Sequence, residues 1–261
     1  MPISDQARHR QRSFRLEAVI LRHVNFGEAD RLLWLFSLEN GKMRAIAKGV
    51  RKPRSRKAGH LEPFTRVSLQ MARGRDLPII TQADTVDAYL PVREGLLITT
   101  YASYVVELLD RFTYEEGENR ALYHLLVDTL SRLSLSGNMD LKVRFYELRL
   151  LDLVGFRPQL YRCTGCEAEI QPQDQYFSAS QGGALCPNCG IKYVGSSPIS
   201  MNALKYLRFF QRSNYSEVTR AKLTSSINKE IEDIIQQYLV YLLERRLNTP
   251  PFIRRLREET N

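Results

Sequence analysis

The sequence has no stretch both long and apolar enough for a bilayer. Its longest mainly apolar run without a charge, Gly95 to Val106, falls short of the roughly 18 to 20 residues that a span requires. The opening segment, Met1 to Arg15, carries four arginines and leads into no apolar region of leader length, so a secretory signal is not expected and the cytoplasm is. No G-x-x-x-x-G-K-[ST] occurs, which removes the phosphate-cradling loop of nucleotide hydrolysis. Histidine is scarce, and His9, His23 and His124 lack a neighbouring nucleophile or metal-ligand spacing. His60-Leu61-Glu62 matches half of a nucleobase-deaminase pattern. The other half needs a proline before a cysteine pair, and the residues there are Arg162 and Leu185. An enzyme is not expected.

Acid is scarce in one place only. Residues 1 to 80 hold 17 Lys+Arg against 7 Asp+Glu, whereas residues 81 to 261 hold 21 against 22, so the whole excess of +9 arises in the first third. Charge concentrated in one domain points to a polyanionic partner. Nucleic acid is favoured over a membrane face, because no basic amphipathic helix or lipidation motif accompanies the charge. A remainder near neutrality suits protein partners.

Hydrophobic periodicity divides the chain further. Short runs rich in Val, Ile and Leu, at Phe14 to Val24, Arg31 to Leu38, Lys42 to Val50, Leu61 to Ala72 and Leu77 to Val86, are separated by turn residues that include Asn40-Gly41. Five strands in this length predict a small barrel of the oligonucleotide-binding type, with an SH3-like barrel as the alternative. After Pro91 the period becomes helical over Gly95 to Phe112, Asn119 to Leu135 and Leu141 to Val154, with a stop at Gly155 and Pro158. Ile227, Ile231, Ile234, Tyr238 and Tyr241 mark a long amphipathic helix to about Leu247, where Pro250-Pro251 forbids its continuation. The predicted class is α+β and multidomain. Residues 1–13 form a polar extension, 14–87 the barrel, 91–158 and 196–261 a helical domain, and 159–195 an insertion.

All four cysteines lie in that insertion. Cys163-Thr164-Gly165-Cys166 and Cys186-Pro187-Asn188-Cys189 are two C-x-x-C pairs at zinc-site spacing. Four thiolates would fill the coordination sphere of one Zn²⁺ per chain, leaving no position for substrate, so the metal would be structural. Iron, two disulfides and a redox pair are the alternatives that spacing leaves open.

The segment from Lys42 to Lys57 holds eight cations and no acid: Lys42, Arg44, Lys48, Arg51, Lys52, Arg54, Arg56 and Lys57. Crowded like charges are unfavourable without an anion, and a phosphate backbone supplies one. Arg73 and Arg75, flanking Gly74, extend the set. No base-reading pattern is visible, so sequence-independent binding is expected. Trp34 and Phe36 share a strand with Leu33 and Leu35 on its other face, which predicts burial of both faces. Phe14, Phe26 and Phe64 suit either packing or base stacking.

The runs Glu17-Ala18-Val19-Ile20-Leu21, Gly27-Glu28-Ala29-Asp30-Arg31, Ala47-Lys48-Gly49-Val50-Arg51-Lys52-Pro53-Arg54-Ser55-Arg56 and Leu61-Glu62-Pro63-Phe64 resemble the N-terminal domain of the bacterial recombination mediator family RecO. Tyr146-Glu147-Leu148-Arg149-Leu150-Leu151, Gly155-Phe156-Arg157-Pro158 and the cysteine pairs continue the likeness, which covers about 14 to 200. The resemblance implies an oligonucleotide-binding barrel, a helical domain with a zinc-binding segment, and a non-enzymatic role in recombinational repair. It also implies binding of single- and double-stranded DNA, annealing of complementary strands, and action with RecR to load RecA onto DNA coated by the single-stranded-DNA-binding protein, in the bacterial cytoplasm at the nucleoid. The competing reading is a zinc-bearing RNA-binding or ribosome-associated factor with the same barrel.

Overall fold

The computed structural model describes residues 13–115 and 117–260. The expected polar extension, apart from Ser13, lies outside the described residues. Two compact units emerge: residues 13–102 with 113–134, and residues 103–112 with 135–260.

In the first unit, β1 (Ser13–Phe26), β2 (Asp30–Ser37), β3 (Gly41–Ala47), β4 (Arg66–Ala72) and β5 (Ile79–Asp87) close into a barrel in the order β1-β2-β3-β5-β4. All pairs are antiparallel except β3 with β5, which meet in parallel at Ile46 and Ile79. This is the expected oligonucleotide-binding barrel. Alternate residues face inward, so Leu16, Ala18, Ile20, Leu33, Leu35, Ala45, Ala47, Val67, Leu69 and Met71 fill the interior. A register shift between Ile20 and Arg22 bends β1, letting one long strand pair with β4 through its first half and β2 through its second.

Two strand expectations are corrected. β3 stops at Ala47, because Gly49 turns the chain at φ 63° and donates its N–H to Asp30 Oδ1 at 2.7 Å. β4 starts at Arg66 and not at Leu61. Pro63 has no N–H for a ladder, and Phe64 takes φ 66°. Leu61 and Phe64 are nevertheless buried, and that burial gives the loop its strand-like apolar pattern. At the β2–β3 turn, Gly41 has φ 63° and a Cβ there would stand 2.1 Å from the Gly117 carbonyl oxygen.

The barrel's outer face carries a second anchor. Glu17 on β1 accepts from Arg66 at 2.6 Å and from the Tyr123 hydroxyl at 2.7 Å, Tyr123 lying on α3 (Arg120–Ser134). α1 (Leu90–Glu94) and the first turns of α2 (Leu96–Phe112) belong to the same unit. Burial opposes ionisation of Glu17, but Tyr123 and Arg66 outweigh it and hold the carboxyl below its ordinary range. Tyr123→Phe removes one bond to a carboxylate that keeps its Arg66 partner. We expect a loss of about 1 kcal/mol, read from urea unfolding by the fluorescence of the single tryptophan, Trp34 in β2.

In the second unit, α4 (Met139–Leu153) is buried on nearly all sides, with Leu141, Val143, Tyr146, Leu148, Leu150 and Leu151 packed inside together with Arg144 and Glu147. Glu147 accepts from Tyr104 and meets Arg144 at 2.8 Å. A three-stranded sheet of order β7-β6-β8 is built from β6 (Gln175–Ser178), β7 (Gly183–Leu185) and β8 (Ser197–Ile199). α5 (Pro187–Gly190) packs on β6 and β7, α6 (Met201–Arg212) and α7 (Tyr215–Val218) on α4, and α8 (Ser225–Leu243) on β8. α8 does not continue through Pro250-Pro251 and stops at Leu243, short of the expected Leu247; the two prolines stand in the first turn of a separate helix, α9 (Thr249–Thr260). Proline tolerates the first turn, where its missing N–H would have no partner anyway. Glu107 accepts from the N–H groups of Asn248 and Thr249 and from the Thr249 hydroxyl, satisfying donors at that start. Among the described residues no helix is long and apolar enough to cross a membrane.

Candidate metal centre and nucleic-acid interface

The insertion brings its two cysteine pairs together through β7. Gln159 exchanges backbone hydrogen bonds with Gly182 and Ala184, and Thr164 N–H donates to Ala184 O at 2.9 Å. The first knuckle is thereby stitched to the strand that runs directly into Cys186. Within that knuckle Cys163 N–H donates to Ala168 O and Glu167 N–H to Cys163 O, each at 2.8 Å, while Glu167 turns at φ 61°. The second knuckle is the single turn of α5, where Gly190 N–H donates to Cys186 O at 2.7 Å. Gly190 has no substitute: a Cβ would lie 2.2 Å from the Tyr176 ring.

The four sulfurs of Cys163, Cys166, Cys186 and Cys189 lie within 4.8 Å of one another, with Cys166 and Cys186 3.8 Å apart. Metal–sulfur bonds of about 2.3 Å in a tetrahedron place sulfurs about 3.8 Å apart, so the set fits one ion. Burial of Cys163 opposes ionisation, yet N–H donors from Cys186, Gly165 and Cys166 draw its pKa down to about 6. Desolvation and the surrounding sulfurs push Cys189 up to about 12. Four thiols this close cannot all ionise without a cation among them, and a metal resolves the conflict. The four cysteines can therefore hold a metal ion.

The ten expected nucleic-acid contacts divide by their partners. Lys48, Lys52, Arg54, Arg56, Arg73 and Arg75 are exposed, and among the described residues none has a side-chain hydrogen bond or ion pair. The other four are engaged within the unit. Lys42 Nζ donates to Thr113 O at 3.2 Å, and Arg44 meets Glu115 at 2.8 Å. Arg51 reaches Gly27 O and Glu28 O at 3.5 and 3.3 Å, pinning its loop to the β1–β2 turn. Lys57 Nζ donates to Ile80 O at 2.9 Å and Lys48 O at 3.2 Å, and burial lowers its pKa against the pull of Asp30. A groove of about 590 Å³ beside β3 is lined by Lys42, Arg44 and Arg73, but also by Glu39, Asp76, Glu115 and Glu118. The positive charge clear of these acids therefore belongs mainly to the 48–56 loop, since Asp76 stands in the β4–β5 turn beside Arg73 and Arg75.

Trp34 corrects a further expectation. Leu33, Leu35, Phe36 and Ser37 of its strand are buried; Trp34 is half-buried on the outer face, with the Arg22 guanidinium 3.4 Å from its ring centre. Phe64 is buried and Phe14 packs against the barrel core, whereas Phe26 is 53% exposed at the end of β1. Phe26 is thus the one of these rings open to stacking. His60 is bonded to Thr85, and Glu62 to Arg31 and His23, so the half-deaminase pattern is absorbed by barrel contacts.

Comparison with known proteins bears on both units. Residues 12–89 match the family model Recombination protein O N terminal, and residues 93–251 match Recombination protein O C terminal. The DNA repair protein RecO of Roseiflexus sp. (strain RS-1) is 39% identical over 236 residues, covering 90% of this chain and 83% of that protein. The DNA repair protein RecO of Dehalococcoides mccartyi (strain CBDB1) is 34% identical over 232 residues, covering 89% and 91%.

Proposed function

The chain belongs to the recombination protein O family, and on that premise we propose that it is a non-enzymatic mediator of recombinational DNA repair in the bacterial cytoplasm, at the nucleoid. It binds single- and double-stranded DNA without sequence preference and anneals complementary strands. With RecR it loads RecA onto DNA covered by the single-stranded-DNA-binding protein. One structural Zn²⁺ per chain holds the insertion at Cys163, Cys166, Cys186 and Cys189.

The observation that carries this reading is the set of six exposed cations on the barrel that have no side-chain partner among the described residues. Two strands repel through their phosphates. A protein that neutralises backbones while leaving base edges free lowers the barrier to pairing. Nothing in that step makes or breaks a covalent bond, in keeping with His60 and Glu62 being occupied by barrel contacts.

Replacing Lys48, Lys52, Arg54, Arg56, Arg73 and Arg75 with alanine is expected to weaken binding about equally across sequences and to slow annealing. The slope of log affinity against log salt should become shallower by roughly 0.7 for each single-strand phosphate no longer neutralised. Arg51 and Lys57 are left in place because they also brace the fold. An unchanged slope and annealing rate would remove the barrel from the interface. Tighter binding of RNA than of DNA of the same sequence, with no annealing, would favour the ribosome-associated reading.

A further inference from the structure

The second unit carries a groove of about 760 Å³ along α6 and the segment after α7, and the barrel reading makes no use of it. Its apolar lining is aromatic, Tyr206 and Phe209, with Ala221 the one aliphatic side chain. Lys205, Arg212, Arg220 and Lys222 also line it. All four are exposed, and none has a side-chain hydrogen bond or ion pair among the described residues. The single acid, Glu217, is already used: it closes a capping box with Asn214 at the start of α7. The Tyr206 hydroxyl donates to Lys222 O at 2.8 Å, tying the two walls together, and the rings of Tyr206 and Phe209 both lean on Phe210.

We propose that this groove is a second binding site for single-stranded nucleic acid, separate from the barrel surface and independent of the reading given to it. Tyr206 and Phe209, three residues apart, share a helix face. Lys205 and Arg212 bracket them about 10 Å apart along the axis. Flat half-buried rings flanked by separated cations match bases alternating with phosphates. The end of an acidic peptide would call for one aliphatic pocket and one focus of charge, and the lining has neither. One molecule with a strand site in each unit can hold two strands at once.

The test uses the full chain and a fluorescein-labelled oligothymidylate, titrated at several salt concentrations. Replacing Lys205, Arg212, Arg220 and Lys222 with alanine should reduce affinity and make the salt slope shallower by roughly 0.7 for each phosphate that these cations had neutralised. The effect should persist when the six barrel cations are already removed. Phe209→Leu, which keeps an apolar filler against Phe210, should weaken binding by about fivefold to 150-fold, the range for removing one stacked base. Photocrosslinking with bromodeoxyuridine in the oligonucleotide should label the peptide containing Tyr206 and Phe209, a readout that needs no substitution. The proposal is overturned if crosslinks fall only on barrel peptides and the fourfold variant keeps its affinity and slope. It is equally overturned if that variant binds DNA normally but no longer binds an acidic peptide.

Discussion

A chain in which Cys186 is replaced by serine is expected to lose its metal, falling from one ion per chain to a small fraction, and to become open to proteases between residues 159 and 195. A closed metal centre would add folding free energy to the few contacts that anchor the insertion, among them Arg208 with Leu160 O and Phe177 with Tyr238. Among its residues few side chains are buried: Leu160, Cys163, Ile170, Phe177, Ala184 and Leu185 are the main ones. Its strands are short, three residues in β7 and four in β6. Closed zinc sites in small domains contribute on the order of 10 kcal/mol at neutral pH, more than a core of that size provides. A strong chelator should give the same proteolytic pattern in the unsubstituted chain, because both treatments remove one object. Elemental analysis of protein purified without added metal reads the stoichiometry and separates zinc from iron. Retention of one metal ion by the serine variant, with unchanged cleavage, would show that the fourth sulfur is dispensable and the centre is not the four-thiolate site.

How much of this was legible in the sequence depended on whether the governing contact was local. The cysteine knuckles are local, and C-x-x-C spacing with Gly165 and Gly190 announces them. Alternation announces the barrel, since one face of each strand must fill a closed interior. Ion pairing is not local: Lys42 and Arg44 find Thr113 and Glu115 about seventy residues away, which no window reveals. A run of eight cations therefore overstated the free charge on β3. A sum near zero over residues 81 to 261 likewise does not reveal that Lys205, Arg212, Arg220 and Lys222 line one groove. Trp34 misled because a β-strand facing a barrel interior on one side can carry an aromatic on the outside, here with Arg22 over its ring. Leu61 and Phe64 read as strand because buried loops and strands share composition; Pro63 was the available sign that no ladder forms there. The charges in α4 were invisible because charge is ordinarily a mark of exposure. The spacing of Arg144 and Glu147 on one helix face was the only hint.

Those buried charges lead to an asymmetric result. Arg144 and Glu147 have side chains 3% and 0% exposed and meet at 2.8 Å, and Arg144 Nε has no hydrogen-bond partner among the described residues. Removing one partner of such a pair leaves the other desolvated, but the two are not equally able to adapt. A guanidinium keeps its proton. In Glu147→Leu the charge on Arg144 stays buried at every pH, and the stability that a carboxyl of raised pKa contributes while protonated goes too, so we expect a loss of about 3 kcal/mol near pH 5 that shrinks toward pH 8. The larger value is the lower end of the range for a broken buried pair, because Glu232 and Asp140 also favour the Arg144 charge. Glu147 can adapt. Burial raises its pKa to about 7 even with Arg144 opposing the rise, and in Arg144→Met that opposition disappears and the value climbs further. A carboxyl with a raised folded-state pKa contributes stability that is fully present below its unfolded value and lost as pH rises through the folded one. Arg144→Met should therefore cost little near pH 5, where Glu147 is protonated and still bonded to Tyr104, and progressively more toward pH 8. Hydrogen exchange of the slowest amides of α4, measured at pH 5, 6.5 and 8, reads both free energies in the unit concerned. Equal, pH-independent losses in the two variants would mean that Glu147 does not titrate in this range and that the pair acts only by filling space.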